Sequence, residues 1–161
     1  IRNESESGSR TEHICIEPFE NPWLEKLGVR VIRQRVESVD LGLFESLREN
    51  DLLFIDSSHV IRPQGDVLFE YQSIVPRLAR GVYVHVHDMF TPRDYPHGWV
   101  IDQIMLWNEQ YIVEVLLSSS SRYEVVAALN YLKHSHYDAL CAVCPYLEPS
   151  SEPGAFYFRV K

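Results

Sequence analysis

The chain has 161 residues, 45% of them hydrophobic, which is the size and composition of one compact domain with a sizeable core. Its formal net charge of -8 disfavours nucleic acid as a partner, because binding to a phosphate backbone depends on clustered Lys and Arg. No apolar run approaches the ~20 residues that span a bilayer, and no signal-peptide pattern opens the chain. We therefore expect no membrane partner and a cytoplasmic location, with three cysteines too few for a disulfide framework.

Apolar runs alternate with helical patterns along most of the chain. Residues 1–12 are polar and predict a surface loop, and residues 13–161 predict a single αβ core. Alternating strands and helices indicate an α/β fold whose parallel sheet is covered by helices on both faces. In chain order we predict strands at 13–16, 29–36, 52–56, 82–86, 123–127 and 155–160, and helices at 22–27 (capped by Asn21 and ended by Gly28), 41–48, 66–78, 102–117 and 131–143.

Polar and titratable side chains follow the first four predicted strands. In open α/β sheets, ligands bind beyond the carboxyl ends of the strands, so these positions are the candidates for function. They are Glu17 after the first strand, Glu37 and Ser38 after the second, Asp56 and His59 after the third, and His87 and Asp88 after the fourth.

Glu17 and Asp56 each allow two interpretations. An acidic residue at a strand end can accept hydrogen bonds from both ribose hydroxyls of a nucleotide, which suits Glu17. The alternative is a turn carboxylate ahead of Pro18. Asp56 emerges at the crevice of the sheet, or it caps the following turn through the Asp-Ser-Ser sequence.

A metal site is a further possibility. His85 and His87 lie two residues apart and point to the same face of a strand. With Asp56 and Asp88 they offer nitrogen and oxygen ligands, of which oxygen favours Mg or Mn and imidazole favours Zn, Fe or Ni. The alternative is that His85 packs on the strand while His87 and Asp88 form loop hydrogen bonds.

The order of these segments resembles a class I S-adenosylmethionine-dependent methyltransferase family, the bacterial methyltransferase domain of the macrocin/catechol O-methyltransferase type. The segments that carry the resemblance are Cys15-Ile16-Glu17-Pro18-Phe19 with Asn21-Pro22-Trp23-Leu24, Leu53-Phe54-Ile55-Asp56-Ser57-Ser58-His59-Val60, Val75-Pro76-Arg77-Leu78 with Gly81-Val82, His85-Val86-His87-Asp88-Met89-Phe90, Asp94-Tyr95-Pro96 with Trp99, and Trp107-Asn108-Glu109-Gln110-Tyr111.

The resemblance implies a Rossmann-like sheet of seven strands whose last strand, at 155–160, is antiparallel. It implies that Glu17 binds the ribose of S-adenosylmethionine, that Glu37 and Ser38 lie near its adenine, and that Asp56 faces the methyl-transfer site. Related metal-dependent enzymes hold Mg with an acid at the position of Asp56 and a pair at the positions of His87 and Asp88. The resemblance implies O-methylation of a small molecule, in which His59, His87 or a metal-bound oxygen would take the acceptor's proton.

The front of the chain departs from the family pattern. The first strand and its glycine-rich loop have no counterpart, since Gly8 stands alone, and residues 1–3 resemble the end of the first helix. We therefore expect a chain that lacks the first strand and first helix, either processed or part of a longer protein, with weak cofactor binding on its own. Two other functions stay open: a non-catalytic interaction domain derived from a methyltransferase, and a metal-dependent oxygenase or hydrolase using Asp56, His87 and Asp88. The oligomeric state is not predicted.

Overall fold

The computed structural model describes residues 11–19 and 21–161. Most of the predicted loop at residues 1–12 lies outside the described residues. By its internal contacts the chain divides into two compact units, Ile1–Asp40 and Leu41–Lys161. The prediction of a single methyltransferase-like domain over 1–161 stays a prediction. No helix in the described part of the chain combines the length and the apolar character needed to cross a membrane.

The first unit contains a parallel pair of short strands. β1 (Ile14–Ile16) pairs with β2 (Arg30–Ile32), and a 3-10 helix at Leu24–Leu27 connects them. Gly28 ends this helix with φ 72°, a left-handed conformation that glycine adopts without steric cost. The predicted strand-helix-strand unit is confirmed.

Two details of the first unit differ from the prediction. Trp23 precedes the 3-10 helix and no side chain caps it, so the predicted cap by Asn21 is wrong. The second strand is shorter than 29–36, because Val36–Ser38 forms a further 3-10 turn. Just after this strand, the Arg33 guanidinium donates to the carbonyl oxygens of Phe19 and Asn21 in the connecting loop.

The second unit is built on a mixed sheet of four strands in the order β3-β4-β6-β5. β3 (Leu52–Ile55) is parallel to β4 (Tyr83–Val86), while β6 (Phe156–Val160) is antiparallel to both β4 and β5 (Tyr123–Ala128). The antiparallel final strand that the resemblance implied is confirmed. The fold is α/β with a mixed sheet, as a Rossmann-like methyltransferase requires.

The helices of the second unit follow the predicted order with changed boundaries. The helix predicted at 131–143 is two helices, because His136 has the non-helical torsions φ -145° and ψ 45°. The helices are α1 (Leu41–Glu45), α2 (Asp66–Phe69) continued by a π-helical turn (Glu70–Ile74) and a 3-10 turn (Val75–Arg77), a π-helical turn (Gly98–Asp102), α3 (Glu109–Ser119), α4 (Leu129–Ser135) and α5 (Tyr137–Val143).

The helix predicted at 102–117 begins later, at α3. The Asn108 side chain accepts a hydrogen bond from the Ile61 N–H (2.6 Å), and the Asn108 N–H donates to the His59 carbonyl (2.9 Å). These contacts fix the chain just before Glu109. Ile104 has φ 55°, which is incompatible with a continuous helix.

One face of the four-stranded sheet is buried and the other is partly open. Val84, Val86, Phe156, Phe158 and Val160 are fully buried and form the core side. On the opposite side Phe54 is 51% exposed. The prediction of helices covering both faces therefore fails over β3 in the part of the chain that the structure describes.

Gly81 closes the turn that leads into β4. It has φ 86°, and a Cβ atom there would lie 2.5 Å from Cγ of Glu49. We expect Gly81→Ala to lower the free energy of unfolding by about 1–3 kcal/mol, since an L side chain is strained in this conformation. Urea unfolding measures it. Gly98→Ala is the control, because its Cβ would meet Asp102 at 3.4 Å, an ordinary contact; equal losses in both variants would contradict the explanation.

Candidate active site

The turn after β3 presents Asp56 and folds His59 inward. Asp66, at the start of α2, accepts hydrogen bonds from the Ser58 N–H (3.0 Å) and the Ser58 hydroxyl (2.6 Å). Burial raises the pKa of Asp66, but these bonds and the one from the Val67 N–H outweigh it, so its pKa lies below the ordinary value. The turn is therefore fixed by an acceptor on the following helix.

His59 lies between two carboxylates. Its Nδ1 is 2.8 Å from Oε2 of Glu109, and its Nε2 is 3.3 Å from Oδ1 of Asp56. Its ring also stands against the ring of Trp107, with centroids 4.3 Å apart. Because an ionised carboxylate can only accept hydrogen bonds, the short contact to Glu109 favours a proton on Nδ1.

The three side chains differ sharply in exposure. The side chain of Asp56 is 47% exposed, that of His59 is 6% exposed and that of Glu109 is 2% exposed. A group in solvent is thus connected to a buried carboxylate through a single imidazole ring. Of the three, Asp56 is the one that can contact a ligand.

Glu109 is held at the first position of α3. Its second oxygen, Oε1, accepts a hydrogen bond from the buried Tyr71 hydroxyl (2.6 Å). Its backbone N–H donates to the carbonyl of His59 (3.2 Å), so His59 and Glu109 are joined through backbone and side chain. A buried carboxylate needs such partners, because an unpaired buried charge is strongly destabilising.

The surroundings of His59 favour its charged form. Burial lowers the pKa of the ring, but the hydrogen bond and charge of Glu109, with the charges of Asp56 and Asp88, outweigh burial and raise the pKa above its ordinary value of 6.5. Burial and the neighbouring Glu109 raise the pKa of Tyr71 well above 10, so this hydroxyl stays protonated as a donor.

A second buried acid, Glu70, supports the same turn. The Ser57 hydroxyl donates to Oε2 of Glu70 over 2.9 Å. Burial, with the charges of Glu109 and Asp66, raises the pKa of Glu70 to about 8. At neutral pH the region thus holds Glu70 in its neutral form.

His87 and Asp88 follow β4 and lie close to each other. His87 Nε2 is 3.6 Å from Asp88 Oδ1, and the His87 side chain is half-exposed. Asp88 has φ 52°, and a Cβ atom on Gly154 would lie only 2.8 Å from the Asp88 Cα. The Gly154 carbonyl accepts the Met89 N–H (2.8 Å). The turn before β6 therefore packs directly on Asp88.

The predicted metal ligands do not form a ligand set. Within residues 11–19 and 21–161, no group of three His, Cys, Asp or Glu side chains is placed to hold a metal ion. Asp56 instead faces His59, and His85 stacks on Tyr157 with ring centroids 4.3 Å apart. The residues therefore do not fit the Mg site that the resemblance implied.

Glu17, Glu37 and Ser38, the predicted cofactor residues, lie in the first unit. Glu17 follows β1, where its Oε1 accepts the Phe19 N–H (2.8 Å), as the turn interpretation predicts. Glu37 and Ser38 lie in the 3-10 turn after β2, and Ser38 is exposed. If both carboxylate oxygens of Glu17 contacted ribose hydroxyls, Oε1 would accept from a hydroxyl as well as from the Phe19 N–H. The cofactor roles of these residues stay predictions.

The sequence placed Asp56, His59, His87 and Asp88 at one edge of the sheet, but it missed the groups behind them. Glu109 appeared only within the segment 107–111 that carries the family resemblance. Tyr71 and Glu70 lie on a helix predicted from its apolar residues. Glu109 stands between Asn108 and Gln110, so no apolar setting in the sequence marked it as buried.

Glu70 predicts a pH dependence of stability. Its pKa is about 8 in the folded protein and ordinarily 4.5, so between these values the folded protein binds a proton that the unfolded chain has released. Stability is therefore lost as pH rises from 4.5 to 8. We expect Glu70→Gln to remove this loss, with the two free energies of unfolding diverging by at most about 1.4 kcal/mol per pH unit. Urea unfolding at several pH values measures these free energies.

Glu148→Gln, at an exposed position, is the control. If the free energy of unfolding changes with pH in the same way for wild type and Glu70→Gln, Glu70 is not the buried acid responsible.

Comparison with known proteins assigns the chain to a family. The model of a family described as a methyltransferase domain matches residues 2–89, more than half of the chain. The match includes Asp56, His59, His87 and Asp88 and stops before Glu109. No curated protein and no solved structure matches the chain significantly. With its mixed αβ sheet and polar groups at the strand ends, the protein belongs to the methyltransferase domain family.

Proposed function

We propose that the protein transfers a methyl group from S-adenosylmethionine to a hydroxyl group of a small molecule. The observation that carries the proposal is the Asp56 carboxylate, half-exposed at the end of β3 and supported from behind by the buried His59. Carboxyl ends of parallel strands are where open α/β sheets bind their ligands. A half-exposed carboxylate at this position can accept the hydrogen bond of an acceptor hydroxyl.

Methyl transfer requires little covalent chemistry from the protein itself. S-adenosylmethionine supplies an activated methyl group on a sulfonium, and the protein contributes by holding the acceptor oxygen in line with it. We assign to Asp56 the hydrogen bond from the acceptor hydroxyl. His59 fixes the direction of that carboxylate through its contact at 3.3 Å. No metal is needed for this arrangement.

The cofactor would be bound by residues of the first unit. In support, Glu17 stands directly after a parallel strand, the position from which a carboxylate can accept ribose hydroxyls. Arg33 holds the loop behind it, through hydrogen bonds to the Phe19 and Asn21 carbonyls and to the Glu25 carboxylate. We propose Glu37 and Ser38 as neighbours of the adenine.

Both sheets have an unsupported edge. Among the described residues, β1 pairs only with β2, and β3 pairs only with β4. Leu52 and Phe54 on β3 are each about half exposed, and an exposed apolar strand edge is a ready template for pairing with another strand. We propose that cofactor binding requires a strand and glycine-rich loop upstream of this sequence.

Calorimetry with S-adenosylhomocysteine tests this requirement. The 161-residue chain is compared with a version extended upstream through such a strand and loop. We expect measurable binding only to the extended version, because backbone N–H groups of the loop would hold the carboxylate end of the cofactor. Equal binding by both versions would contradict the requirement. Binding by neither version would favour the second candidate, a non-catalytic interaction domain, for which the exposed edge of β3 is the supporting observation.

The role of Asp56 is tested in the cofactor-binding version with labelled S-adenosylmethionine and a panel of phenols and sugars. We expect Asp56→Asn to lower methyl transfer by about 10²–10⁴-fold, the usual contribution of a general base. Asp138→Asn, an exposed position on α5, is the matched control and should leave the rate unchanged. Full activity of Asp56→Asn would remove Asp56 from the mechanism.

A further inference from the structure

Hydrogen bonds connect Tyr71, Glu109 and His59 in the core, and an ion-pair contact connects His59 to Asp56 at the surface. The Tyr71 hydroxyl donates to Oε1 of Glu109 (2.6 Å), and Oε2 of Glu109 is 2.8 Å from Nδ1 of His59. Nε2 of His59 then lies 3.3 Å from Asp56. The first three side chains are buried, so their arrangement is set by packing and not by solvent.

We propose that Glu109 is a positioning residue for methyl transfer, which acts through His59 to hold the Asp56 carboxylate toward the acceptor. This inference rests on the proposed function, and it adds a group that lies outside the matched family region, residues 2–89. Without Glu109, the ring would lose the carboxylate that is bonded to its Nδ1. The ring could then rotate, and Nε2 would no longer be held against Asp56.

Other contacts also hold the ring of His59. The Trp107 ring stands on one face of the imidazole, with centroids 4.3 Å apart. The His59 backbone is in the left-handed region, with φ 58°, a conformation that is strained for a residue other than glycine. The hydrogen bonds from the Asn108 and Glu109 N–H groups to its carbonyl support that conformation. Such strain is maintained where surrounding contacts determine the geometry.

Titratable groups on four elements face His59. Glu109 is on α3, Asp56 follows β3, Asp88 follows β4, and Glu70 lies on the π-helical turn after α2, where Tyr71 also lies. Glu70 is neutral below its pKa of about 8, so it adds no charge at neutral pH. The nearest negative charges are therefore Glu109 and Asp56, one at each ring nitrogen.

In the proposed reaction, methyl transfer releases one proton from the acceptor hydroxyl. The S–CH₃ bond of the donor breaks with its electron pair remaining on sulfur, and an O–CH₃ bond forms at the acceptor. The hydroxyl proton passes to the Asp56 carboxylate and from there to solvent, to which Asp56 is open. His59 exchanges no proton in this step, so it acts as a positioning residue beside the catalytic Asp56.

Nuclear magnetic resonance of the His59 ring tests the inference without any methyl transfer. In the wild-type chain we expect the titration midpoint of His59 to lie above its ordinary value of 6.5. In Glu109→Gln, we expect the titration midpoint of His59 to fall by about one pH unit or more, because a neutral amide replaces the carboxylate. Glu114→Gln is the matched control on the same helix, since Glu114 accepts from the Thr91 hydroxyl (2.6 Å), and it should leave the midpoint in place.

The outcomes separate this inference from the proposed function. A wild-type His59 midpoint at or below 6.5, or an unchanged midpoint in Glu109→Gln, would overturn the inference even if methyl transfer is observed. If Glu109→Gln does not fold, the wild-type ring spectrum still decides. In the cofactor-binding version, we expect Glu109→Gln to lower kcat by about 10-fold with KM for S-adenosylmethionine unchanged. A purely structural role would instead leave kcat per folded molecule at the wild-type value.

Discussion

The buried ion pair between His59 and Glu109 is the contact on which the candidate site depends. It joins the turn after β3 to the first residue of α3 through a side-chain bond of 2.8 Å and backbone hydrogen bonds. Removing one partner of such a pair leaves an uncompensated buried charge and typically costs about 3–5 kcal/mol. The position of the His59 ring beside Asp56 therefore depends on this pair, while Asp66 and Glu70 hold the rest of the turn.

The same pair connects the exposed Asp56 carboxylate to buried groups behind the sheet edge. The exposed fraction falls from Asp56 through His59 to Glu109. The imidazole therefore has a buried carboxylate at Nδ1 and an exposed carboxylate at Nε2. Tyr71 satisfies the remaining oxygen of Glu109. Asp56 is thus the member of this group that is accessible to a ligand, while its partners are buried.

Most of the fold could be predicted from the sequence, because the spacing of apolar residues and the order of strands and helices are visible in short stretches of chain. The six strands, the end of the first helical turn at Gly28 and the final strand at 155–160 are read from apolar runs and turn residues. Boundaries failed where tertiary contacts decide them. The start of α3 is set by the bonds of Asn108 to Ile61 and His59, which are distant in sequence.

The candidate site was predicted only in part for the same reason. Asp56 and His59 follow an apolar strand, and that position by itself marks them. Glu109 lies 50 residues after His59, and no spacing rule connects the two. The predicted Mg ligands illustrate the opposite error, because suitable residue types at strand ends do not establish that their side chains converge.

The most direct test of this account is a double-mutant cycle on the free energy of unfolding with His59→Gln, Glu109→Gln and the double variant. If the pair is formed, each single substitution should cost about 3 kcal/mol, and the double variant should cost little more than either one, which gives a coupling of at least about 2 kcal/mol. Costs that simply add would show that His59 and Glu109 do not interact, and the proposed support for Asp56 would fall with them.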